Sequence, residues 1–441
     1  MTPPPPATPP PFRLPGEHFA AALAWLVVAG MAAPLVASDL AAGNLFSPRV
    51  LAATHALTLG VLTTMIFGAL YQFFPATLGV GARSIPVAHR TFWVLQAGVV
   101  AMVLGFWRWL PWLLMAGWLL LFLAVGGLSW NLLPQRRRAT QGQLVGRYVS
   151  AGHMALGLAM ALALARIGEP LGWWAVSRTG FIAAHFHLAA LGFVSLTIVG
   201  VGSRMVPMFL FAQTAPTWAL GWIGPLAAAG LVVQSAGLLL SRRPLTMAGG
   251  GLLAAAGLLL LVQLAYWFHH RARREVDPAA GFLGAAAGFL VGTMGLGIWL
   301  LAAGQFDPRI WAAYGLVALP GWATLFTLGV AHRIVPFLAW LHLFGGRGRG
   351  AHAPPVTALV HRGLAWATLA AWVTGTGLMA AAVLAAHPAL ATLGGVLLAA
   401  GAAGLGAQLG RGVQLWRATP VDPPFPSPAA RDPGRPLEVL Q

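Results

Sequence analysis

The chain has 441 residues, 58% of them hydrophobic and 8% charged, with a mean hydropathy of +0.77. That balance excludes a water-soluble domain of this length. A formal charge of +17 would point to nucleic acid in a soluble protein, but the arginines lie in loops and tails between apolar runs, where they set membrane topology, so no nucleic-acid partner is expected.

In chain order, a Pro-rich stretch (TPPPPATPPPF) opens a segment, residues 1–17, expected to be a disordered cytoplasmic tail. Apolar runs of spanning length follow at 18–37, 51–79, 90–109, 110–133, 148–167, 179–211, 218–240, 244–268, 280–303, 310–341, 361–386 and 389–410. They predict an all-α polytopic membrane domain over 18–410, in contact with the lipid bilayer. The tightest break falls between Arg108 and Pro111. Residues 411–441 read as a second disordered tail. Arginines such as Arg136, Arg137 and Arg138 concentrate on the side bearing both termini. The positive-inside rule therefore predicts cytoplasmic termini in the inner membrane.

Three spans share a pattern. From His55 the chain reads HALTLGVLTTMIFGALYQFFP, and from His187 it reads HLAALGFVSLTIVGVGSRMVP. Gly60, Gly68 and Pro75 in the first copy align with Gly192, Gly200 and Pro207 in the second. A third copy starts at Leu316, with Gly321, Gly329 and Pro336 in register and leucine in place of the histidine. The marked spans are the second, sixth and tenth. Twelve helices in three groups of four predict a pseudo-threefold bundle rather than a twofold transporter repeat.

An ionisable side chain within a bilayer helix costs roughly 2–3 kcal/mol or more unless it is paired, which makes His55, His185 and His187 candidates. The chain has no cysteine, so a metal must be held mainly by histidine. His185 and His187 form HFH, and two helical residues turn about 200°, so these imidazoles point to opposite faces and serve different sites. The matched positions of His55 and His187 predict that they coordinate one flat macrocycle from both sides. The aligned glycines then offer either a small-residue face for such a ring or close helix packing. The equivalent of His185 in the third copy is Tyr314, whose phenol could ligate iron or bond a ligand. His185 either joins a second centre or bonds a neighbouring helix. His153 and His332, near the cytoplasmic ends of their spans, are weaker candidates. Arg204 and Arg333 are read as inner-face anchors or partners for an anion. The nine acidic residues fall outside the cores of the spans, which weakens a proton pump or ion-coupled carrier.

AAHFHLAALGFVSLTIVG resembles the helix of heme–copper oxidase subunit I in which an H-F-H pair serves two haems, and HALTLGVLTTMIFG resembles that family's second helix. The resemblance implies twelve helices in a pseudo-threefold bundle, haem b as cofactor, His55 and His187 on a low-spin haem, and His185 facing a second centre. It also implies respiratory electron transfer or handling of O2 or NO, with other respiratory membrane subunits or a cytochrome donor as partners. The H-F-H pair stands in the sixth span here rather than the tenth, and the seventh span has no histidine for copper. A divergent relative without copper is therefore expected, and no proton-pumping oxygen reductase activity from this chain alone. The NnrS family is a second resemblance, in architecture and histidine-bearing helices. The competing reading is a non-haem transporter or structural subunit whose histidines pack helices.

Overall fold

The computed structural model describes residues 11–139, 141–169, 171–172, 178–272, 274–304, 307–344 and 355–418. Most of both predicted tails, residues 1–10 and 419–441, and His352 lie outside the described residues. Among those described, all regular structure is helical, and twelve helices are long and apolar enough to cross a membrane: α1 Arg13–Ala41, α2 Pro48–Leu78, α3 Ile85–Trp107, α4 Pro111–Arg138, α5 Gln143–Gly168, α6 Thr179–Phe209, α7 Leu220–Leu239, α8 Arg243–His269, α9 Pro278–Ala303, α10 Pro308–Leu341, α11 Arg362–Leu384 and α12 Pro388–Gly410. The protein is a polytopic all-α membrane protein. Arg13–Glu17, read from the sequence as the end of the tail, form the first turn of α1, and the last helix runs on to Ala418.

Helix starts follow local chemistry. Ser47, Ser84, Asp277 and Asp307 each accept a backbone N–H at the head of α2, α3, α9 and α10, with a proline in the first turn. His361 and His387 do the same through Nδ1, bonding Leu364 N at 3.0 Å and Leu390 N at 3.3 Å. These two histidines cap helices.

The three repeat helices form the centre. About 61%, 67% and 78% of the apolar stretches of α2, α6 and α10 are buried, against 17% for α9 and 22% for α8. The repeat glycines decide how the centre is held. A Cβ on Gly60 would lie 2.5 Å from Trp25 Cγ and one on Gly68 would lie 2.5 Å from His18 Cβ, both on α1. Gly192 and Gly200 meet Ala155 and Tyr148 of α5 in the same way, at 2.5 and 2.6 Å. Gly321 and Gly329 meet Phe289 and Phe282 of α9, at 2.7 and 3.0 Å. Each central helix thus crosses the first helix of its own group at two glycines, and each pair of partner residues is about two helical turns apart. Of the two uses the sequence allowed these glycines, the structure shows helix packing.

The hairpins closing each group also match. Trp109 (φ 51), Ser241 (φ 53) and Ala386 (φ 54) are left-handed residues ending α3, α7 and α11. In each hairpin the next amide reaches back five residues at 2.8 Å: Leu110 to Gly105, Arg242 to Gly237 and His387 to Ala382. The tight break at Arg108–Pro111 is therefore the first instance of a repeated turn.

One feature has no counterpart in the sequence pattern. Residues Ala56–Thr63 of α2, His187–Ser195 of α6 and Val317–Thr324 of α10 are π-helical, beginning at or one residue after the position of the repeat histidine. Thr63 Oγ1 and Ser195 Oγ each donate to a carbonyl five residues earlier, at 2.9 and 3.0 Å. The wide turns re-aim the side chains that follow, and such segments concentrate at functional sites.

Two substitutions probe this frame by thermal unfolding in detergent. Gly200→Val should lower stability by about 1–3 kcal/mol, because the α5 backbone must retreat. Ala386→Gly should raise it by about 1 kcal/mol, because glycine adopts the left-handed conformation without strain.

Candidate functional site

The sites lie where successive repeat helices meet, and one rule assigns the side chains. The residue at the repeat-histidine position of one helix faces the residue two places earlier in the next copy. At the α2/α6 boundary the corresponding residues are His55 and His185, one on each helix. At the α6/α10 interface they are His187 and Tyr314, with His187 Nε2 3.4 Å from the Tyr314 hydroxyl. At the α10/α2 interface they are Leu316 and Ala53, which line one apolar cavity of about 220 Å3.

The structure brings His187 to Tyr314, and it sets the His55 ring against Phe106 of α3. The H-F-H pair does point to different neighbours, as its two-residue spacing requires: His185 bonds α5 and His187 lies beside α10. Equivalent residues of a cyclic repeat are related by rotation, so each meets the next helix in the ring rather than its own equivalent.

At the α2/α6 interface, His55 Nδ1 donates to Leu51 O at 2.8 Å and its ring stacks on Phe106 of α3, centroids 4.5 Å apart. His185 Nδ1 donates to Ala159 O of α5 at 2.8 Å. A ring whose Nδ1–H is committed to a carbonyl is the neutral tautomer that presents its Nε2 lone pair. Both donors thus have the protonation and fixed orientation that a metal-bound imidazole needs. Each offers the donor atom that an axial haem ligand supplies, and His185 by its bond to α5 also ties two helices together.

At the α6/α10 interface lies a cavity of about 400 Å3, lined by residues of α6 to α10. His187 Nδ1 donates to Ala183 O at 2.7 Å, which leaves Nε2 as an acceptor beside the phenol. Trp311 stands nearly perpendicular to both rings, at 88° to His187 and 87° to Tyr314. Trp322 Nε1 donates to Ser195 Oγ at 3.0 Å, tying the π-helical stretches of α10 and α6 together in the cavity wall. Sequence reasoning missed Trp311 and Ser195. Trp311 lies one helical turn before Tyr314, a spacing that could have found it. Nothing local marks Ser195.

His153 and His332 are buried, with Nδ1 on Val149 O and Leu328 O at 2.8 Å. Their rings lie against different neighbours, Phe67 and Phe193 for His153 and Phe282 for His332. They do not converge. Arg333 pairs with Asp277, the cap of α9, which accounts for it as an anchor. Glu17 lies within α1 and pairs with His89 of α3, Oε1 to Nδ1 2.5 Å.

Ser195→Ala should cost about 1–3 kcal/mol by leaving the Trp322 N–H unbonded in the interior, read as a lower detergent unfolding midpoint.

No protein-family model matches this chain, and no curated protein matches it.

Proposed function

We propose that this is a haem-binding integral membrane protein, holding haem b at the α2/α6 interface between His55 and His185, and acting in electron transfer or in the handling of a diatomic gas such as O2 or NO. The observation that carries the reading is a pair of imidazoles on separate repeat helices, each with Nδ1 held by a carbonyl and Nε2 left to ligate. A haem held by two imidazoles supplies one-electron transfer. What the chain's own residues do is fix the two rings: the Leu51 and Ala159 carbonyls set the tautomers.

Arginine bias supports residence in the cytoplasmic membrane with both termini inside, where a cytochrome or another respiratory subunit would exchange electrons with the bound group. Exposed Trp93, Trp112 and Trp222 suit contact with lipid. The resemblance to heme–copper oxidase subunit I, and more distantly to the NnrS family, supports the same reading.

A reduced-minus-oxidised spectrum of the purified protein should show the sharp alpha band of a low-spin haem. His55→Ala and His185→Ala should each abolish that band while the protein stays in the membrane, and His187→Ala should keep it. Loss in His187→Ala with retention in His185→Ala would restore the pairing suggested by the aligned sequence repeats. A featureless wild-type spectrum would sink the haem reading and leave His55 bonded within α2 and His185 tying α6 to α5.

A further inference from the structure

We propose that the α6/α10 cavity binds a membrane-soluble phenol or hydroquinone, whose hydroxyl sits between His187 and Tyr314. The inference begins with hydrogen-bond capacity. His187 Nε2 can only accept, because Nδ1 carries the proton to Ala183 O. The Tyr314 hydroxyl, 3.4 Å away, is far for an O–H···N bond. A hydroxyl placed against both can donate to Nε2 and accept from the phenol at the same time. A ligand with only an ether or hydrocarbon at that point cannot do both.

The surroundings fit an aromatic body. Trp311 supplies a ring face beside the pair. Gly297 of α9 stands over the phenol, where a Cβ would lie 3.5 Å from Tyr314 Cε2, so glycine leaves open the space next to the hydroxyl. Met247 and Met294 complete an adaptable wall. A volume of about 400 Å3 is of small-ligand size.

The bilayer is the source that the architecture favours. The outer wall of the cavity is made by α8 and α9, the two least buried of the twelve helices, so lipid lies directly behind it.

The test is equilibrium binding of radiolabelled trimethylhydroquinone to the full chain in anaerobic nanodiscs, with protein-free nanodiscs subtracted for partitioning. Saturable binding is expected, with the dimethyl ether of the same ring competing about tenfold more weakly. Tyr314→Phe should remove most of that preference for the free hydroxyl. Gly297→Leu fills the space while keeping both polar groups, and should abolish binding. No saturable binding to the wild type, equal competition by the ether, or undiminished binding in both variants would overturn the proposal. The readout involves no haem spectrum, so failure here leaves the axial assignment of His55 and His185 standing, and failure of that assignment leaves this test interpretable.

Discussion

The rest of the structure depends on the approach of each central helix to the first helix of its group, made at two glycines. In lipid, helices gain little by burying apolar side chains from one another, so association relies on close packing and on whatever polar contacts packing permits. Gly60 and Gly68, Gly192 and Gly200, and Gly321 and Gly329 allow that packing three times over, against α1, α5 and α9. The crossings fix the rotation of α2, α6 and α10 about their own axes. That rotation decides which side chains enter the three interfaces.

The π-helical stretches complete the arrangement. Each begins at or just after the repeat-histidine position and precedes the second repeat glycine. A π turn takes up more residues than an α turn, so it shifts the phase of everything beyond it relative to what precedes it. The glycines can then face the outer helix while the histidine or its equivalent faces the neighbouring repeat. Hydroxyls of Thr63 and Ser195 bond carbonyls within the widened turns, and Ser195 also accepts from Trp322 across the interface. A regular helix would lose that register.

One backbone plan therefore yields three chemically different interfaces. His55 on α2 and His185 on α6 each offer an imidazole donor. His187 with Tyr314 offers an acceptor and a hydroxyl beside a cavity, while Leu316 with Ala53 leaves an apolar space. The interfaces differ in these side chains while the glycine crossings match. The neutral tautomer recurs throughout: Nδ1 of His18, His55, His153, His187 and His332 bonds the carbonyl four residues earlier. A buried imidazole in a helix satisfies one nitrogen cheaply this way. What distinguishes the candidates is the surroundings of the other nitrogen.

By itself the sequence determined the all-helical membrane class, the twelve spans and the three repeat helices, because apolar run length and glycine–proline spacing are local properties that survive without knowledge of neighbours. It also determined that His185 and His187 point apart, since that follows from helical pitch alone. Only the tertiary structure decided that His185 bonds α5 and that His187 stands beside Tyr314 of α10. Alignment of His55 with His187 identifies equivalent positions, and in a closed ring equivalent positions are separated by rotation and meet different partners. The π-helical turns, the left-handed Trp109 and the Ser195–Trp322 bond were likewise set by packing between helices distant in sequence. No periodicity along one helix encodes the phase at which it meets the next.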